Sequence, residues 1–106
     1  RLIQREVAAG QPVFVSLLVL LETEWVLRSR YQLQKPAMVA TISALLDATG
    51  IQLEDEAAIE EALYLWKDNT VEFVDCLIGA RNRRLGCRAT ATFDARAVKL
   101  PGFTRV

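Results

Sequence analysis

Three carboxylates stand where carboxylates are poorly placed for structural work alone. Glu22 lies inside VSLLVLLETEWVLRSRY (15–31), an otherwise apolar helical run. Asp75 lies inside VEFVDCLIGA (71–80), flanked by Val74, Cys76, Leu77 and Ile78. Asp94 closes ATATFD (89–94), at the carboxyl end of a strand pattern. The chain contains no histidine. That removes Ser-His and Cys-His nucleophilic catalysis, imidazole acid–base chemistry and any histidine-ligated metal within it. Carboxylates that converge repel one another, and such a cluster persists where a cation neutralises it. All-oxygen ligation suits Mg²⁺ or Mn²⁺ and not Zn²⁺. A carboxylate-held divalent ion is what phosphodiester hydrolysis calls for, because it polarises a phosphoryl oxygen and activates water.

Each carboxylate also has a structural explanation. Glu22 shares its helical face with Leu18, Trp25, Val26 and Ser29, by spacing of three and four. A lone ionised group among aliphatics costs several kcal/mol unless it finds a partner, so an arginine or an exposed helix would account for it. Glu24, by contrast, is expected to be solvated surface paired with Arg28 at i,i+4. Asp75 reads as mid-helix, too late to act as a cap, and could bond a neighbouring backbone group. Asp94 could cap a turn. Taken singly each structural account is sufficient; two carboxylates in apolar helices and one at a strand end, in a chain without histidine, favour a shared cation.

The elements that must position these groups follow from pattern. RLIQREVAAG (1–10) reads as a short amphipathic helix ended by Gly10 and Pro12. PVFVS (12–16) is a strand and LLVLLETEWVLRSRY (17–31) a helix. KPAMVATISALLDATG (35–50) is a helix with Pro36 in its first turn and Gly50 beyond its end. IQLED (51–55) is a strand and EAAIEEALYLWKDN (56–69) an amphipathic helix. TVEFVDCLIGARNRRLG (70–86) is a helix closed by Gly86, with Asn69 as N-cap and Glu72 at N3 of a capping box. CRATATFD (87–94) is a strand, Gly102 a turn, and FTRV (103–106) a last short strand. Short apolar strands alternate with helices and there are no hairpin signals. The fold class is therefore α/β, with a mostly parallel sheet covered by helices. In such sheets ligands occupy the crevice at the carboxyl ends of the strands, which is where Asp94 falls.

The totals bound the rest. The 106 residues suffice for one domain, and 52% hydrophobic against 25% charged content supports a packed core. Thirteen basic and 13 acidic residues give zero formal net charge, so global charge points to no nucleic-acid, membrane or acidic partner. Cys76 and Cys87 form neither a disulfide framework nor a zinc motif and read as two buried reduced thiols. PVFVSLLVLL (12–21) is too short to span a bilayer, so a cytoplasmic chain is expected, with no membrane partner.

VSLLVLLETEWVLRSRY, VEFVDCLIGARNRRLGC and ATATFD, in this order over essentially the whole chain, resemble the PIN-domain family and within it the VapC-type toxins of toxin–antitoxin pairs. The resemblance implies a PIN-like three-layer fold over 1–106 as a single domain, and a ribonuclease using Mg²⁺ or Mn²⁺. It implies RNA as substrate (transfer or ribosomal RNA in VapC-type members), a VapB-type antitoxin and a homodimer as partners. By resemblance Glu22, Asp75 and Asp94 are the catalytic, metal-binding carboxylates, and Thr92 is the accompanying hydroxyl. Glu72 stands where the family often has Asp, and is expected to act around the metal or in the capping box. The family also opens on a strand carrying a further acidic ligand. The chain has no such segment, so an upstream stretch of about 25–30 residues is expected. Without it, the alternative is a non-catalytic PIN scaffold for dimerisation and antitoxin binding; a third reading is a PIN nuclease outside toxin–antitoxin pairs.

Arg81, Arg83, Arg84 and Arg88 cluster around Gly86. Cations suit a helix C-terminus, and Arg81, Arg83 and Arg84 equally suit RNA phosphates. Trp25, Trp66, Tyr64 and Phe73 are expected as core or interface more than as base-stacking surfaces.

Overall fold

The computed structural model describes residues 10–92 and 94–105. The expected helix over 1–10 lies outside the described residues except for Gly10. The order is β1 (Val13–Val15), α1 (Leu17–Ser29), α2 (Lys35–Asp47), β2 (Ile51–Leu53), α3 (Glu56–Lys67), α4 (Phe73–Arg84), β3 (Thr90–Thr92), a 3-10 turn (Ala97–Lys99) and β4 (Phe103–Arg105). This is the α/β architecture expected from the pattern, and both strand pairings are parallel. The strands form two two-stranded sheets among the described residues. The chain divides into two compact units, residues 1–56 and 57–106. No helix among the described residues is long and apolar enough to cross a membrane.

In the first unit β1 and β2 pair in register Val13↔Ile51, Phe14↔Gln52, Val15↔Leu53. The helices α1 and α2 form the crossover that a parallel pair requires. Ser16 is the N-cap of α1, its hydroxyl accepting from the Val19 N–H at 3.2 Å. Glu54, just past β2, accepts from the Leu17 N–H at 2.9 Å, satisfying another orphan donor of the same helix end. Pro36 stands in the first turn of α2, where its missing N–H costs nothing. Leu17 and Leu20 of α1, Met38 and Ile42 of α2 and Leu53 of β2 are buried.

In the second unit α3 buries Ala58, Ile59, Ala62, Leu63 and Trp66, the spacing of one helical face. The helix α4 buries Phe73, Cys76, Leu77 and Ala80. The Trp66 and Phe73 rings meet with centroids 5.2 Å apart at 57°, and the indole N–H donates to the Val71 carbonyl at 3.1 Å. Trp66 and Phe73 are core as expected, whereas Trp25 and Tyr64 are exposed. A Schellman motif ends α4: the Gly86 N–H donates to the Arg83 carbonyl and the Cys87 N–H to the Asn82 carbonyl. Gly86 takes φ +87°, the left-handed conformation that this motif needs. Strands β3 and β4 pair in register Thr90↔Phe103, Ala91↔Thr104, Thr92↔Arg105. At Gly79 a Cβ would come within 2.9 Å of Phe103 Cζ, so glycine lets β4 approach α4.

Two expectations about this unit are corrected. Cys87 is exposed, and only Cys76 is a buried thiol. The capping box is displaced: α4 begins at Phe73 with Glu72 as N-cap, and the Glu72 side chain makes no cap hydrogen bond. Asn69 instead donates to the Leu65 carbonyl at 2.7 Å, at the end of α3. The reason is Val71, which is buried and whose carbonyl takes the Trp66 N–H. The backbone up to Val71 thereby closes the turn after α3 and cannot start the next helix.

Candidate metal centre

The N-terminus of α4 carries Asp75 at N3, in the first turn and not in mid-helix. An acidic residue there complements the helix macrodipole. Its carboxylate accepts a hydrogen bond from the Glu72 backbone N–H, the half of a capping box that an N3 residue supplies. Asp75 is half-buried. Its carboxyl is nonetheless pushed above its ordinary value of 3.8, first by burial, then by the charge of Asp94, then by that of Glu72. The Arg96 charge and the Glu72 N–H pull it the other way without cancelling the shift.

Asp94 follows β3 and is also half-buried. Its backbone N–H donates to the Thr92 hydroxyl at 3.0 Å. Its Oδ1 accepts from the Arg96 backbone N–H at 2.8 Å, an Asx-type turn. The turn-capping account of Asp94 is thus realised, and so is its electrostatic contact with Asp75. Thr92 fixes the Asp94 backbone by the hydrogen bond that the T-x-D spacing allows.

Glu22 stands in the other unit, on α1, and is exposed. The expectation that Glu24 is solvated surface is corrected, while its pairing with Arg28 holds: Glu24 is buried, 4% exposed, with Arg28 Nε at 2.9 Å, and an exposed helix face is what accounts for Glu22. The buried stripe of α1 is Leu17, Leu20 and Glu24, the i, i+3, i+7 positions of one face. Glu22 lies about 200° around the helix from Leu20 and from Glu24, since each residue turns ~100°. The LLVLL run is apolar on every side, so its periodicity selects no inward face, and Leu18 and Trp25 are left exposed near Glu22.

The arginines separate. Arg83 donates through Nε to Glu61 Oε2 at 2.9 Å, through Nη2 to the same oxygen, and through Nη1 to the Pro101 carbonyl at 2.7 Å. Its guanidinium is engaged in holding α3, α4 and the approach to β4 together. Arg81 and Arg84 lie with it in the last turn of α4, Arg84 more exposed than Arg81. Sequence reasoning missed Arg96. Its signal was the D-A-R spacing directly after the T-F-D motif.

Among the described residues no three His, Cys, Asp or Glu side chains are close enough to hold an ion together. What bears on Mg²⁺ or Mn²⁺ is the oxygen-donor chemistry of the half-buried Asp75 and Asp94, with the charges of Asp94 and Glu72 acting on Asp75. Mg²⁺ takes one or two carboxylates and completes its shell with water, and a pair of carboxylates is donor chemistry of that kind.

The family model for the PIN domain matches residues 1–102, a span that covers nearly all of both units. The chain is 26% identical over 97 residues to a protein named VapC ribonuclease from Aquifex aeolicus (strain VF5), covering 92% of this chain and 71% of that relative. No solved structure matches it.

Proposed function

This chain belongs to the PIN domain family, and on that premise we propose that it is a metal-dependent endoribonuclease, the toxin of a toxin–antitoxin pair. The observation that carries the reading is the half-buried Asp75 in the first turn of α4, on which the charges of Asp94 and Glu72 both press. Residues 1–106 then act as one domain, as the extent of the family match supports.

In this reading Asp75 and Asp94 would hold Mg²⁺ or Mn²⁺, with Glu72 acting directly or through water. When bound, such an ion polarises a phosphoryl oxygen and lowers the pKa of a water. The chain's own residues set the frame. The Glu72 N–H orients the Asp75 carboxylate. The Thr92 hydroxyl fixes the backbone that presents Asp94. Arg81 and Arg84, in the last turn of α4, are the proposed sequence-independent contacts to RNA phosphates; Arg83 is assigned to the fold through Glu61 and the Pro101 carbonyl. No side-chain nucleophile is required. RNA (transfer or ribosomal), a VapB-type antitoxin and a second copy of the chain are the proposed partners, in the cytoplasm.

A second reading is a non-catalytic PIN scaffold for dimerisation and antitoxin binding. One observation favours it: Leu18 and Trp25 leave an apolar strip exposed on α1. Asp75→Asn separates the two. The nuclease reading expects loss of Mn²⁺-dependent RNA cleavage with the fold intact by circular dichroism. Undiminished cleavage by that variant would refute it.

A further inference from the structure

The carboxylates of the second unit already have a cation beside them. Arg96 Nε stands 3.7 Å from Asp94 Oδ1, the oxygen that also accepts the Arg96 backbone N–H. The same positive charge acts on Asp75, against burial and against Asp94 and Glu72. The backbone of Arg96 is anchored, because it caps the 3-10 turn whose first residue, Ala97, is fully buried. Its side chain is not anchored: it is 57% exposed. A charge-assisted hydrogen bond runs at about 2.7–2.9 Å, so at 3.7 Å the guanidinium is an adjacent charge and not a locked partner.

We infer that Arg96 is the resident counter-cation of the Asp75–Asp94 pair, offsetting its repulsion in the metal-free protein and competing with a divalent ion for the same carboxylate oxygens. The inference rests on the proposed reading of that pair as a cation site. Arginine remains charged at every working pH, so the competition is fixed by side-chain position and not by protonation. Two cations cannot share Asp94 Oδ1 without repelling each other. The exposed Arg96 side chain has room to swing away, so the ion is weakened and not excluded. At the dielectric of a partly solvated site this repulsion lowers ion affinity about threefold to tenfold.

The test counts free Mn²⁺ by electron paramagnetic resonance in titrations of the wild type, Arg96→Gln, Arg96→Lys and Asp75→Asn, each first shown to be folded by thermal unfolding. The expected result is Arg96→Gln binding Mn²⁺ about threefold to tenfold more tightly than wild type, Arg96→Lys close to wild type because it keeps the charge, and Asp75→Asn weakest. If Asp75→Asn loses binding while Arg96→Gln equals the wild type or binds more weakly, the counter-cation inference is overturned and the metal reading stands. If none of the four proteins binds Mn²⁺, the metal reading falls and takes the inference with it.

Discussion

Arg83→Ala tests whether the arginines around Gly86 serve the fold or RNA. Arg83 bridges Glu61 on α3 to the Pro101 carbonyl ahead of β4. Its side chain is 30% exposed and that of Glu61 39%, so solvent screens the ion pair and leaves it worth about 0.5 kcal/mol. The charged hydrogen bond to Pro101 is exposed as well and contributes about 1 kcal/mol. The variant should therefore lose about 1.5 kcal/mol, equivalent to a fall in Tm of roughly 6–12 °C for a domain of this size. Urea unfolding should show a lower midpoint with an unchanged slope. A double-mutant cycle with Glu61→Ala should return a coupling of no more than about 1 kcal/mol. The companion measurement is binding of a single-stranded oligoribonucleotide against salt. Arg84→Ala should reduce the log–log salt slope by about 0.7, the contribution of one phosphate contact on a single strand, and Arg83→Ala should leave it unchanged. An Arg83→Ala protein as stable as wild type but with a shallower salt slope would refute the structural assignment.

Two further outcomes follow from the buried and raised carboxyls. Glu24→Ala should destabilise by about 1–2 kcal/mol, less than the usual cost of breaking a buried pair because Arg28 is 41% exposed and can be hydrated; Glu22→Ala should stay within about 0.5 kcal/mol in the same urea titration, and the reverse order would mean that the inward face of α1 is misassigned. The Asp75 carboxyl titrates above its ordinary 3.8 in the folded chain, so the folded state binds the proton more tightly, and its contribution is fully present below that ordinary value and lost as pH rises through the folded one. Asp75→Asn should accordingly be more stable than wild type at pH 7 without metal, with the advantage vanishing in acid; a variant less stable than wild type across the whole range would refute it.

The legible parts of the fold were those with a strong local signature. Pro36, the apolar stripe Ala58–Ile59–Ala62–Leu63–Trp66 and the short strands 13–15, 51–53 and 103–105 each follow from residue type and period. Two kinds of information were not local. The rotation of α1 depends on which side of a uniformly apolar helix packs, and nothing in LLVLL distinguishes the sides. The start of α4 depends on the burial of Trp66 and Val71 in the core, where the indole N–H donates to the Val71 carbonyl, against the attractive N-T-V-E signature. At the candidate site, Asp75 and Asp94 were legible by being anomalous in apolar and strand-end contexts, and their electrostatic contact is present. Arg96 was not legible because an exposed arginine in a turn is ordinary until its distance to Asp94 is known.

The placement of Asp75 at a helix N-terminus bears on why such a group is tolerated. The macrodipole and a backbone donor both favour the ionised form, and Arg96 adds a third favourable charge. Each of these is an interaction that stabilises a carboxylate, yet the carboxyl still shifts upward, because burial and two neighbouring carboxylates outweigh them. A site selected only for stability would exchange Asp75 for Asn: the hydrogen bond from Glu72 would be kept and the repulsion removed. Retaining the charge is intelligible if something more positive than a single guanidinium is meant to complete the cluster. The stability that Asp75→Asn gains without metal and the Mn²⁺ binding that it loses then have one cause, the same negative charge. If the variant gained stability but bound Mn²⁺ as wild type does, that common cause would be excluded and Asp75 would be a strained residue of the scaffold.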